Sequence, residues 1–177
     1  MEFVNPIKDK EKIELMKKAF KTDRDSFLFV LGINTALRVS DLLKLTVGDL
    51  KGSHLIVREQ KTGKTRKQII SNSLRKEIDR YIKGKADSEF LFPSRKGTAP
   101  ISRVQAHRVL SEAGQSIGLE DISTHSLRKT WSYHYYKATG DIATVQKLLN
   151  HSSQMVTMKY LGLDQDEMDR RLVNFGL

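Results

Sequence analysis

Two side chains near the C-terminus, His151 and Tyr160 in 149-LNHSSQMVTMKY-160, stand nine residues apart with mostly small or polar residues between them. A phenol is a poor nucleophile at neutral pH, its unperturbed pKa being about 10, so chemistry at Tyr160 needs a base or a cation beside it. Other stretches supply such groups. In 124-THSLRKTWSYHYY-136, His125 and Arg128 fall at i and i+3 on one face of the first turn of a helix, with Thr124 as the expected cap. Amides at a helix N-terminus favour an anion at the same place. In 35-TALRVSDLLKL-45 the single charge of TALRVS is Arg38, placed after an apolar run where a buried guanidinium requires an anionic partner. Asp41, three residues on, or a bound phosphate would meet that requirement.

Competing readings are weaker. Tyr133, Tyr135 and Tyr136 crowd one helix with Trp131 and Leu127 and read as packing. His54, His107 and His134 lack convergent partners. A metal site built from His125, His134 and His151 has no acidic ligand at suitable spacing, so no metal is expected.

The elements that must position these groups follow from periodicity. Residues 8–21 read as an amphipathic helix through Ile13, Met16 and Phe20, and 22–37 as a capped, strongly apolar one. A short helix is expected after Ser40 as cap. The runs 54-HLIVRE-59 and 66-RKQIIS-71 read as strands joined around Gly63, a hairpin whose tip carries Lys61, Lys64, Arg66 and Lys67. Further helices are expected at about 72–83, 102–117, 124–138, 141–149 and 153–161, with 88–97 a loop or at most a short strand. The tail, with Met168, Leu172 and Phe175 at helical spacing, reads as one more short amphipathic helix. The fold class is mainly α with a small antiparallel β-sheet, in one domain spanning 1–177.

Charge points the same way. The net +10 sits in the middle third: residues 51–108 carry 15 basic and 5 acidic side chains, while the flanking segments are nearly balanced. Such a segment suits a polyanion, most often nucleic acid. The absence of cysteine excludes disulfides, thiolate metal sites and a cysteine nucleophile. With neither a signal-peptide pattern nor a membrane-length apolar run, a cytoplasmic location is the default and no membrane partner is expected.

Taken in order, Arg38, Lys61, His125 with Arg128, His151 and Tyr160 resemble the catalytic residues of the tyrosine recombinases, the phage-integrase family. The resemblance runs from about residue 20 to about residue 170 and rests on TALRVSDLLKL, EQKTGKTRKQI, THSLRKT and TVQKLLNHSSQMVTMKYL. Ala36 and Asn150 stand where the family usually has glycine, and asparagine tolerates the left-handed backbone that glycine would supply.

The resemblance implies the tyrosine-recombinase catalytic-domain fold and a site-specific DNA recombinase that cleaves and rejoins strands through a 3′-phosphotyrosyl intermediate at Tyr160, without metal, ATP or other cofactor. It casts Arg38 and Arg128 as the clamp on the non-bridging oxygens and Asp41 as a support. It makes His151 a further phosphate donor, His125 the base or a phosphate ligand, and Lys61 the general acid, with Lys64 its rival. Lys64, Arg66 and Lys67 are expected on DNA. The family's separate N-terminal core-binding domain is not seen ahead of the matching region. The chain is then expected to be either a naturally short recombinase or a piece of a longer protein, with an accessory DNA-binding protein as a further expected partner. The tail, 162–177, either exchanges between protomers of a tetramer on DNA or folds back. Two other functions remain open on the residues: relaxation of DNA by a type IB topoisomerase, and DNA binding without catalysis.

Overall fold

The computed structural model describes residues 5–163 together with 172 and 173. The chain divides into two compact units, Met1–Trp131 and Ser132–Leu177. The helix expected over the tail falls largely outside the described residues.

In the first unit, α1 (Lys10–Ala19) starts where the Asp9 carboxylate accepts from the Glu11 amide, and α2 (Asp23–Thr35) where Thr22 accepts from Asp25. Both caps satisfy amides that the first turn leaves without partners. After α2 come a four-residue helix α3 (Val39–Leu42), a 3₁₀ turn at Gly48–Leu50, and the antiparallel strands β1 (His54–Arg58) and β2 (Thr65–Ile69). Helices α4 (Asn72–Ile82) and α5 (Arg103–Ser116) follow, each capped by a serine, Ser71 and Ser102. Helix α6 (Thr124–Thr139) carries the boundary between the units within it. The segment 88–97 makes only isolated bridges, Thr46 to Phe90 and Pro93 to Pro100. Among the described residues no helix is long and apolar enough to cross a membrane.

Two apolar clusters hold this unit. One joins α2, α3, the hairpin and α4 through Leu28, Leu31, Leu42, Leu55 and Ile78, with Phe27 stacked on Tyr81 at 4.0 Å between centroids. The other packs Met16, Phe29, Leu110 and Leu127. Gly32 matters most for the site. A Cβ there would meet Leu127 Cδ1 at 2.5 Å, so its hydrogen lets the first turn of α6 lie directly on the end of α2.

In the second unit, α7 (Ile142–Leu149) and α8 (Gln154–Leu161) pack against the latter part of α6 through Tyr136, Val145, Leu149 and Leu161. Helix α7 ends at Asn150, which adopts the left-handed conformation (φ 60°, ψ 42°), and α8 ends at Gly162 in the same conformation. Tyr133 and Tyr135 lie against this cluster as packing, as their crowding in the sequence suggested.

Two expected caps are replaced. Helix α3 begins at Val39, with Arg38 rather than Ser40 in the capping position and no side-chain cap bond. Helix α6 begins at Thr124, as expected, but its capping side chain is one residue earlier: Ser123, not Thr124, accepts from the His125 amide at 3.2 Å, and Ser126 Oγ accepts from the Ser123 amide at 2.9 Å. Together the two bonds satisfy the amides of His125 and Ser123 at the helix start.

Candidate active site

The site in the first unit is organised by the end of α2. Ala36 terminates that helix in the left-handed conformation (φ 52°, ψ 21°), which turns the last carbonyls outward at the negative end of the helix dipole. Arginines collect there. Arg128 Nη1 donates to the Ala36 carbonyl at 2.6 Å, and Arg66 donates to the carbonyls of Ala36 and Thr35 and to Gln68 Oε1. Arg38 lies two residues beyond the turn. Because Leu127 is seated over Gly32, the next residue of α6 is the one delivered to this carbonyl.

Carboxylates balance the arginines, though not as the sequence suggested. The anionic partner of Arg38 is Glu59, whose Oε2 accepts from Arg38 Nη1 at 2.7 Å and from Thr62 Oγ1 at 3.0 Å. Asp41, expected to serve Arg38, instead accepts from the Gln60 amide at 3.0 Å through Oδ1, while its buried Oδ2 takes no hydrogen bond among the described residues. Burial pushes the Glu59 carboxyl up, but the bonds from Arg38 and Thr62 and the nearby charge of Arg128 outweigh it and hold the group below its ordinary value. Arg66 is lowered to about 10, by burial first and then by Arg128 and Arg38, and it stays charged at neutral pH.

The hairpin departs from expectation at one cation. Lys61, Lys64 and Lys67 are exposed, but Arg66 is 9% exposed and points inward. The pairing Leu55 with Gln68 and Val57 with Arg66 puts these four on the core face, leaving Ile56, Lys67 and Ile69 outside. Arg66 is therefore corrected from a projecting DNA contact to a buried brace on the end of α2. Strict alternation along 65-TRKQI-69 was the signal that could have shown this. Glu59 was missed too, since nothing in the sequence marks it apart from its position two residues before Lys61.

His125 is exposed on the first turn of α6. Partial burial of the ring and the positive charges of Arg128, Lys129 and Arg103 push its pKa below the usual value, so the imidazole is neutral at pH 7 and able to accept a proton.

The second unit holds the remaining pair. The left-handed cap at Asn150 lets the His151 amide reach back to the Gln146 carbonyl at 3.1 Å. The His151 ring meets the Tyr160 ring edge-on, with centroids 5.0 Å apart. His151 Nδ1 lies 3.1 Å from Thr157 Oγ1, and that hydroxyl donates to the Ser153 carbonyl at 3.1 Å. Tyr160 is half-buried on the last turn of α8.

The comparisons agree on a family. Residues 7–167 match the phage integrase family. The chain belongs to that family. It is 50% identical over 99% of both chains to a probable integrase/recombinase, YoeC, of Bacillus subtilis. It is 33% identical to the tyrosine recombinase XerA of Pyrococcus horikoshii, across 77% of this chain and 50% of that protein. The chain thus spans the whole of the first relative and about half the length of the second. Among solved structures, a lambda integrase tetramer bound to a Holliday junction matches 90% of this chain and 49% of its own with a TM-score of 0.72 at 21% identity, a likeness of fold.

Proposed function

We propose that this chain is the catalytic part of a site-specific DNA recombinase that cuts and rejoins strands by way of Tyr160. The observation that carries the reading is the gathering of Arg38, Arg66 and Arg128 around the end of α2, with the Glu59 carboxylate paired to Arg38 and the Asp41 carboxylate near enough to act on Arg66 through space. Such a buried arrangement of forked donors suits a phosphodiester oxygen pair better than any uncharged ligand. Family membership and relatives named as recombinases support it.

On this reading the Tyr160 oxygen forms a bond to phosphorus as the bond to the 5′-oxygen breaks. The phenolic proton passes to His125, neutral at pH 7, and Lys61 protonates the departing 5′-oxygen. Arg38 and Arg128 hold the non-bridging oxygens and stabilise the charge that develops on them, and His151 adds a further hydrogen bond. The ester energy stays in the protein–DNA bond, so rejoining needs no nucleotide. Lys64 and Lys67 serve the DNA backbone, and a tetramer of the chain on double-stranded DNA is the working assembly.

The test is covalent capture. Sheared genomic DNA from the source organism, mixed with wild-type protein or Tyr160→Phe in chelator and without ATP, is stopped with detergent, and protein-linked ends are sequenced. Linked ends should cluster at one locus and vanish in the variant. Ends scattered across the genome would replace the recombinase by a topoisomerase-like enzyme, and adducts surviving in Tyr160→Phe would remove Tyr160 as nucleophile.

A further inference from the structure

The turn that carries Lys61 is held by more than its own backbone. Two bonds close it, Glu59 N–H to the Lys64 carbonyl at 3.0 Å and Gly63 N–H to the Glu59 carbonyl at 2.8 Å, with Gly63 left-handed at φ 67°. By themselves they would leave an exposed tip at the end of a two-stranded ribbon, the kind of element that opens at little cost. Yet Glu59, in a tip otherwise exposed, is 4% exposed. A carboxylate buried to that degree is costly unless charge and hydrogen bonds compensate it, and here one oxygen takes both Arg38 and Thr62.

The anchoring flanks Lys61 on both sides. Thr62, the next residue, is bound to Glu59 and through it to Arg38. Gln60, the residue before, gives its amide to Asp41 at 3.0 Å and its side-chain nitrogen to the Ser40 carbonyl at 2.7 Å. Three of these contacts end on residues 38–41, the segment that presents Arg38. Lys61 therefore projects from a tip whose neighbours are fixed to the segment carrying the phosphate clamp.

From these contacts we infer that Glu59 is a positioning residue that sets Lys61 for proton donation by fixing the hairpin turn to the Arg38 segment. This rests on the strand-cleavage reading above. A carboxylate that served only as counter-ion to Arg38 would not need the bond from Thr62, the residue after Lys61.

Thr62→Val separates the two roles, because it cuts the link from Glu59 to the turn and leaves the Arg38 pair intact. Single-turnover adduct formation is measured on the DNA captured by wild type, with either oxygen or sulfur at the scissile 5′ position. A thiolate leaves without a proton, its conjugate acid having a pKa near 8.5, so sulfur bypasses a misplaced acid. On oxygen, Thr62→Val should slow cleavage by about tenfold and Lys61→Ala by about a hundredfold, within the range of general acid catalysis. On sulfur both should return to within a few fold of wild type, while Arg38→Ala stays slow on either substrate. Wild-type cleavage of the oxygen substrate by Thr62→Val, or an equal defect on both substrates, would overturn the assignment.

If wild type forms no adduct on any DNA, the strand-cleavage reading is what fails, and the positioning of the turn is read by hydrogen exchange. In Glu59→Gln the amides of Gln60 and Gly63 should then exchange at least about tenfold faster than in wild type. Unchanged exchange there would overturn the positioning role itself.

Discussion

The titration of His125 joins the electrostatics of the guanidinium cluster to an observable. Partial burial first, then Arg128, Lys129 and Arg103, lower its pKa from 6.5. The sign follows from linkage: the folded chain releases this proton more readily than the unfolded one, so protonation opposes folding. Its share of stability is whole above pH 6.5 and diminishes as pH falls through 6.5 toward the folded value. An NMR titration should place the His125 midpoint below 6.5, and Arg128→Ala should move it up. A midpoint at or above 6.5 in wild type would mean that the neighbouring cations do not reach the ring.

Among the elements, the contact of α6 on α2 is the one that sets the site. Gly32→Ala gains helix propensity of about 1 kcal/mol, but its Cβ would lie 2.5 Å from a methyl of Leu127, a side chain 1% exposed, and overpacking costs about 1–3 kcal/mol. The balance is destabilising, by about 1 kcal/mol, measured as a lower denaturant midpoint. Because Arg128 follows Leu127, Gly32→Ala should also slow adduct formation. Much at this scale was legible in the sequence: seven described helices longer than one turn fell within a few residues of their expected spans because serine, threonine and aspartate caps and stops such as left-handed Asn150 punctuate them. Short α3 was placed but miscapped, and the cap of α6 went to Thr124 rather than Ser123 because two capping hydroxyls stand side by side. Arg66 was misread because a charged residue in a basic run looks solvated, while the pleat puts it opposite Val57 and inside. Glu59 was illegible for another reason. Its partner, Arg38, lies 21 residues away, and such pairings are made by tertiary packing.

For the whole molecule, the basic excess of residues 51–108 becomes a statement about salt. Lys64 and Lys67 are exposed on the hairpin, and each phosphate contact made by a lysine adds about 0.9 to the slope of log affinity against log salt. The double variant Lys64→Ala/Lys67→Ala should lower that slope by about 2 on duplex DNA, measured by fluorescence anisotropy across a salt series. An unchanged slope would take both lysines off the DNA backbone.

The gathering at the end of α2 also carries a charge count. Arg38, Arg66 and Arg128 bring three positive charges, and Glu59 and Asp41 return two, leaving one in excess. A phosphodiester in DNA carries a single negative charge, and so does the diester formed with a tyrosine oxygen in the proposed reaction. The excess charge attracts substrate and intermediate equally, and it attracts the doubly charged species between them more strongly. A surround of this kind lowers the barrier without favouring either side of it, which is the thermodynamic condition for an enzyme that must close every strand it opens.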